Sequence, residues 1–216
     1  IWTGSDCGLV HVTTDGGRSW KNVTPVGLPE CLINSIEVSP HDKGVAYVAA
    51  TRYKFNDFGS YAYKTSDYGK TWVKINTGIQ NDDFLRVIRE DKKRKGFLYG
   101  GAERGFYISD NDGANWQKMQ LNLPNVPVTD LALRDNDLVA STAGRAFWIL
   151  DDLSSLQQFT YAKTLTLFKP KPAYKYGSSP LPGKTNPYVG TSAPGGVILD
   201  YYLPEDADTN DVKLEI

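Results

Sequence analysis

The sequence predicts an all-β protein: a partial β-propeller of about three and a half four-stranded blades, followed by a linker and the start of a β-sandwich. Three observations carry that prediction. A phrase of the pattern (S/T)-x-D-x-G-x-(S/T)-W, the Asp-box, occurs at residues 13–20 and 65–72, and a third copy at 109–116 has Asn111 in place of the Asp. The tryptophans of the copies lie 52 and then 44 residues apart, and a repeat of roughly 40 to 50 residues is the length of one four-stranded blade. Between the copies run short segments rich in β-branched and aromatic residues, bounded by Gly, Pro, Asn and Asp.

Each box reads as a hairpin staple. Asp15, Asp67 and Asn111 accept hydrogen bonds from backbone N–H groups of the turn, and Gly17, Gly69 and Gly113, two positions on, take positive φ. Trp20, Trp72 and Trp116 open the next strand and bury a large ring against their neighbours. All nine residues are thereby assigned to folding rather than to chemistry. Asn111 supports this, because it makes the same turn bonds without the charge a catalytic carboxylate needs.

With the boxes as rulers, the chain divides into blades over about 1–25, 33–78, 83–122 and 127–158, each with strands a to d from the axis outward. The first contains only outer strands, at 1–4, 9–12 and after Trp20. The second has strands at 34–39, 45–51, 61–65 and 72–75; the third at 84–89, 97–101, 105–109 and 116–119. The fourth keeps the rhythm at 128–133, 138–141 and 146–150 but has Asp151-Asp152-Leu153-Ser154-Ser155-Leu156 where a box would stand. Asp152 or Ser154 caps a short helical turn there, and a blade that breaks the consensus is terminal or closing. Residues 161–196, rich in Pro, Gly, Ser and Thr, read as a linker crossing the propeller surface. Residues 197–204 and 212–216 read as the first strands of a C-terminal β-sandwich domain, 197–216. Three and a half blades leave strand edges and blade faces uncovered, so the chain is expected to be a fragment of a longer polypeptide or to be completed by other segments.

Composition narrows the function classes. With 216 residues, 40% of them hydrophobic and 12% aromatic, the chain can bury a sizeable core. A net charge of −1 argues against nucleic acid or an anionic membrane as partner. The run Lys92-Lys93-Arg94-Lys95 follows two acids and precedes Gly96, and reads as a solvated turn. No apolar stretch reaches the roughly 18 residues that span a bilayer. Cys7 and Cys31 sit about one hairpin apart, which leaves a disulfide and two free thiols both open. Asn22-Val23-Thr24 is a glycosylation-type triplet of a kind that arises often by chance. His11 and His41 are isolated, so no metal site and no cofactor are expected.

The boxes, the phrase Gly144-Arg145-Ala146-Phe147-Trp148-Ile149-Leu150-Asp151-Asp152 and the trailing Phe168-Lys169-Pro170-Lys171-Pro172-Ala173-Tyr174 together resemble a known group. The chain looks like the large secreted bacterial proteins with sortilin-like Asp-box (BNR) propellers, often labelled glycosyl hydrolases. The resemblance covers nearly the whole chain and implies an extracytoplasmic location. In that group a His commonly precedes the Gly-Arg pair. Ala143 stands there in this chain, so no role of that His carries over.

In a propeller the d–a and b–c connections open on the face that generally binds ligands, and the boxes lie on the other. The b–c connections are 5–8, 52–60, 102–105 and 142–145. Arg52, Arg104 and Arg145 recur in three of them, and converging guanidiniums can clamp a carboxylate. The alternative is that each pairs with a neighbour such as Glu103 or Asp57 to knit adjacent blades. Tyr53, Phe55, Phe58 and Tyr61 can stack on a sugar or a peptide, or pack the loop onto its own blade. Glycoside hydrolysis needs two carboxylates about 5 to 10 Å apart across a cleft; Asp6, Asp57 and Glu103 are the only candidates on this face, and nothing in the sequence pairs them. The favoured reading is a non-catalytic extracytoplasmic module whose partner is a protein, a peptide or the remaining segments of its own longer chain. Carbohydrate is a further partner class. The alternative is a glycoside hydrolase, sialidase-like or another Asp-box glycosidase, with catalytic residues partly outside this chain.

Overall fold

A computed structural model describes residues 1–159, 164–173, 196–204 and 213. Contacts divide the chain into two compact units, residues 1–153 and 154–216. The first unit is a succession of antiparallel meanders. β1 (Trp2–Gly4), β2 (Val10–Val12) and β3 (Lys21–Asn22) form a three-stranded sheet. β4 (Leu32–Val38), β5 (Ala46–Arg52), β6 (Asp57–Thr65) and β7 (Val73–Lys74) form a four-stranded one. β8 (Leu85–Glu90), β9 (Leu98–Ala102), β10 (Gly105–Ser109) and β11 (Gln117–Lys118) form another. β12 (Val128–Arg134), β13 (Asp137–Thr142) and β14 (Phe147–Leu150) close the unit as a three-stranded sheet.

These are propeller blades, and the chain is a partial β-propeller. The box joins the last two strands of each of the first three sheets, so β1–β3 are strands b, c and d of the first blade. The sequence reading carries the fourth blade to residue 158, whereas the contacts place the boundary after Leu153. The helix α1 (Ser154–Gln158) belongs to the second unit.

The b strands β5 and β9 lie between neighbouring layers and are buried along nearly their whole length. That is why they read as runs of apolar and small residues rather than as alternations. Tyr47, Ala49, Ile75, Leu85, Ile88, Leu98, Tyr107 and Trp116 pack as one cluster between the second and third blades. Gly100 admits the Trp116 ring: a Cβ there would lie 2.9 Å from its Cζ3, closer than real Cβ atoms approach their neighbours.

The three boxes fold alike. Thr13, Thr65 and Ser109 each donate a hydroxyl to Asp15, Asp67 or Asn111, at 2.8 to 2.9 Å, and accept the N–H of the box glycine at 2.9 to 3.0 Å. The side chains of Asp15, Asp67 and Asn111 also accept the N–H of residues 19, 71 and 115, at 2.9 to 3.0 Å. The glycines take φ of 82° to 97° as expected, but so does the residue before each: Gly16 at 76°, Tyr68 at 59° and Asp112 at 64°. The left-handed conformation at Tyr68 and Asp112 aims their N–H groups at the carbonyls of Gly44 and Gly96, at 3.0 and 2.8 Å. The boxes therefore share a face with the a–b connections.

The tryptophans depart from the expected uniform burial. Trp116 donates Nε1–H to the Ile75 carbonyl at 2.8 Å, and Trp72 to the Val23 carbonyl at 2.6 Å. Each ring reaches back onto the blade before it. Trp20 opens the outer strand of the first sheet, no sheet precedes it in this sequence, and it is 43% exposed.

Charge also stitches the blades. Arg89 on β8 lies 3.5 Å from Glu37 on β4 and 2.7 Å from Asp130 on β12. Asp112 accepts the Tyr47 hydroxyl at 2.7 Å and pairs with Lys64. In the second unit, β15 (Thr166–Leu167) pairs antiparallel with β16 (Tyr201–Tyr202), and Phe159 packs edge-on to Tyr202 at 5.3 Å. β15 was not legible in the sequence, and only Tyr201 and Tyr202 of 197–204 are strand. Most of the expected linker, and all but Lys213 of the expected strand at 212–216, lie outside the described residues.

Candidate functional site

The face away from the boxes carries a cluster built from the second and third blades. After Arg52, the β5–β6 connection makes a single 3-10 turn, Tyr53–Phe55, which ends at Asn56 with φ of 56°. Asn tolerates this left-handed geometry better than most residues, and its N–H closes the turn onto the Tyr53 carbonyl at 3.1 Å. Asp57 then organises the loop, accepting from the Gly59 N–H at 3.0 Å, the Tyr61 hydroxyl at 2.7 Å and the Arg52 guanidinium. The Tyr61 hydroxyl above all, with the Gly59 N–H and Arg52, holds the Asp57 carboxyl below its ordinary range. Arg52 also donates Nε–H to the Glu30 carbonyl at 2.9 Å and lies over the Phe55 and Tyr61 rings, at 5.3 and 5.8 Å.

The third blade supplies the other half. Phe84, buried just before β8, stacks with Tyr53 at 6.1 Å and an interplanar angle of 8°, and with Phe58 at 6.5 Å and 29°. The Arg86 guanidinium lies 5.3 Å from the Tyr53 ring centre and 5.1 Å from that of Phe84. Its Nε and Nη2 meet Glu103 Oε2 at 2.7 and 2.5 Å. The result is a shelf of three exposed rings, Tyr53 and Phe58 bedded on Phe84 and Phe55 beside Arg52, with the Arg86 guanidinium against Tyr53 and Phe84.

Arg86 is aimed there by a backbone irregularity. The pairing of β8 with β9 skips it, between Leu85 and Val87. The inner strands of the second and fourth blades skip the matching residues, Asn34 and Thr129. Such a bulge inserts one unpaired residue and re-aims its side chain. Behind the shelf, buried Asp83 accepts the Arg104 N–H at 2.6 Å and the Tyr107 hydroxyl at 2.7 Å, fixing the 102–105 connection. Burial, with Asp83 beside it, raises the Tyr107 hydroxyl well above the usual phenol range.

The structure thus gathers Arg52, Tyr53, Phe55, Asp57, Phe58 and Glu103 from the sequence-predicted set. Arg104 contributes its backbone, and its side chain is exposed; Arg86 takes the place beside Glu103. Arg145 is exposed in the β13–β14 turn, where its carbonyl accepts Trp148 Nε1–H at 2.9 Å. Asp6 is exposed in the β1–β2 turn. The charges of Arg52 and Arg86 are met within their own blades, whereas Arg89 and Lys64 do the knitting between blades. Sequence reasoning missed Phe84 and Arg86; the one local signal was a charged residue interrupting Phe84-Leu85-Arg86-Val87-Ile88. A separate cleft, lined by Phe106, Leu121, Leu123, Leu138, Trp148 and Leu150 among others, has no ionisable group in its lining.

Asp57 and Glu103 are each committed to a guanidinium, and the Asp57 carboxyl is held below its ordinary range, the opposite of the raised pKa that a general acid for glycoside cleavage needs. What the shelf offers is flat apolar surface beside two guanidiniums whose charges are balanced by their own carboxylates.

Known proteins share this fold. The sequence profile of the Sortilin-Vps10 family, described as sortilin, neurotensin receptor 3, matches residues 8–146. A probable oligoxyloglucan-reducing end-specific xyloglucanase of Neosartorya fischeri is 27% identical over 114 residues, which are 51% of this chain and 14% of that protein. Among solved structures, YCF48 bound to a D1 peptide superposes with a TM-score of 0.54 at 18% identity, covering 69% of this chain and 47% of that one. The Niastella koreensis GH74 enzyme gives 0.54 at 13% identity, over 70% and 26%. This chain therefore spans about a seventh of the curated relative and less than half of either structure.

Proposed function

The chain belongs to the Sortilin-Vps10 family, and from that premise we propose that it is a non-catalytic propeller module that binds an extended segment of protein across the Tyr53–Phe58 loop. One observation carries the reading: three exposed rings lie beside two guanidiniums, while the carboxylates beside them are neutralised by ion pairs. Peptide backbone and apolar side chains match such a surface, since aromatic and arginine side chains dominate the energetics of protein recognition. The structural likeness to a propeller solved with a bound peptide is compatible with this. We place the module outside the cytoplasm, as the resemblance to large secreted proteins implies, and we assign the uncovered first and fourth sheets to further segments of a longer polypeptide.

The test is selection from a library of random linear peptides, followed by titration of the selected sequence. Tyr53→Ala and Phe58→Ala are expected to weaken binding tenfold or more, the cost of losing a central aromatic contact, with the unfolding midpoint nearly unchanged. The second reading, a glycosidase, draws on the xyloglucanase relative and on the suitability of exposed rings for stacking sugars. Release of reducing ends from xyloglucan that Asp57→Asn or Glu103→Gln abolishes would replace the first reading with the second.

A further inference from the structure

The two thiols lie at the seam between the first two blades. Cys7 is exposed in the β1–β2 turn and Cys31 is buried immediately before β4. The turn is docked onto that strand: the Ser5 carbonyl accepts the Ile33 N–H at 3.1 Å. Gly8 presses directly on Cys31, because a Cβ placed on it would lie 2.9 Å from the Cys31 sulfur, 3.2 Å from its nitrogen and 3.3 Å from its carbonyl oxygen. The Cys7 α-carbon, one trans peptide from Gly8, is therefore within about 8 Å of that sulfur. A disulfide needs α-carbons about 4.4 to 6.8 Å apart, and Asp6 and Cys7, the exposed tip of the turn, can move to bring the two sulfurs together. At present Cys7 Sγ shares a 3.2 Å hydrogen bond with Ser5 Oγ, itself on the surface.

We infer that Cys7 and Cys31 form a redox-responsive disulfide that staples the first blade to the second, beside the binding shelf. The bond would close a loop running from the b–c turn of one blade to the innermost strand of the next. Cys31 follows Glu30, whose carbonyl receives the Arg52 Nε–H, so the staple lies next to the loop that presents Tyr53 and Phe58. The inference goes beyond the proposed function and does not depend on what the shelf binds.

The chemistry takes two exchanges with a small-molecule disulfide. The Cys7 thiolate attacks one sulfur of glutathione disulfide and expels one glutathione thiolate, leaving a mixed disulfide on the accessible residue. The Cys31 thiol then gives up its proton and attacks the Cys7 sulfur, expelling the second glutathione. Two protein thiols are oxidised by two electrons, and one glutathione disulfide is reduced to two thiols. Burial raises the Cys31 thiol above its ordinary pKa while Arg52 opposes the rise, so the exposed Cys7 is the first to react.

The protein, fully reduced, is incubated under native conditions with graded ratios of glutathione disulfide to glutathione and analysed by intact mass and by maleimide labelling. The expected product is a monomer two hydrogen atoms lighter, with neither thiol labelled, restored by dithiothreitol. Its unfolding midpoint should stand roughly 5 to 10 °C above that of the reduced form, from the closed loop's effect on the unfolded chain. Cys7→Ser should abolish the product and leave the reduced midpoint unchanged, without disturbing buried Cys31. A persistent glutathione adduct on Cys7 with Cys31 still free, a Cys7-linked dimer, or a bridge that forms only in urea would each overturn the inference.

Discussion

The three box tryptophans occupy one motif position in three different surroundings, so truncating each to Ala separates the contribution of the motif from that of the neighbouring blade. Trp116 is 2% exposed, packs against Gly100 and donates to the Ile75 carbonyl. Losing a fully buried Trp costs about 3–5 kcal/mol, and the orphaned carbonyl adds about 1 kcal/mol, so Trp116→Ala should cost about 4–6 kcal/mol. Trp72 is half-buried, meets Trp2 edge-on at 6.1 Å and donates to Val23; about half the apolar loss remains, and with its orphaned carbonyl Trp72→Ala should cost about 2.5–3.5 kcal/mol. Trp20 is 43% exposed, and Trp20→Ala should cost less than about 1 kcal/mol. The assay is urea unfolding followed by far-UV circular dichroism, comparing midpoints at unchanged slope. If Trp20→Ala costs as much as Trp116→Ala, the ring stabilises the hairpin itself. The claim that it works by reaching onto the preceding blade would then be wrong.

Two further perturbations follow from the charges. The Thr71 N–H and hydroxyl hold the Asp67 carboxyl down at about 2; a depressed acid contributes stability that is fully present above its unfolded pKa near 4 and is lost as pH falls through about 2. Asp67→Asn, the residue the third box already has at Asn111, should therefore flatten the decline of the urea midpoint between about pH 4 and pH 2. Arg89→Met should destabilise the protein by about 2–3 kcal/mol at pH 7, because partly buried Glu37 loses its ion pair and keeps only the Glu90 N–H, 3.3 Å away. Burial already raises the Glu37 carboxyl, so its neutral form is the better tolerated one. The deficit should shrink as pH falls and Glu37 takes up a proton, and a deficit independent of pH between 7 and 4 would disprove that assignment.

The sequence was legible wherever structure is local. Box spacing located the sheets, and the strand bounds fell within a few residues of those observed, because hairpin turns and β-rich runs are set by neighbours in the chain. The aromatic loop was legible for the same reason: Arg52, Tyr53, Phe55 and Phe58 lie within one connection. Its floor was not, since Phe84 meets Tyr53 across a blade boundary and Arg86 reaches the shelf only through a bulge in an inner strand. Arg104 looked equivalent to Arg52 by loop position, yet the bulge gives Arg86 the partner that position alone would give Arg104. Trp20 misled in the opposite direction, because the motif is local while the burial of its ring depends on another sheet.

The third box separates the two jobs the motif performs. Its turn closes with neutral Asn111 in the same hydrogen-bond pattern that Asp15 and Asp67 make, so a negative charge is not needed for the hairpin. The charge has moved one residue on, to Asp112, whose left-handed backbone aims the carboxylate at Tyr47 and Lys64 of the preceding blade. Tyr68 occupies the same place in the second box and Gly16 in the first, and neither offers an ion pair. The second and third blades are thus joined on the box face by a contact the first pair lacks, and these two blades also carry the shelf on the opposite face. A ring cluster that meets across a blade boundary keeps its geometry only while that boundary is held. Where the repeat departs from its consensus, it fastens together the two blades whose relative position sets Tyr53 against Phe84.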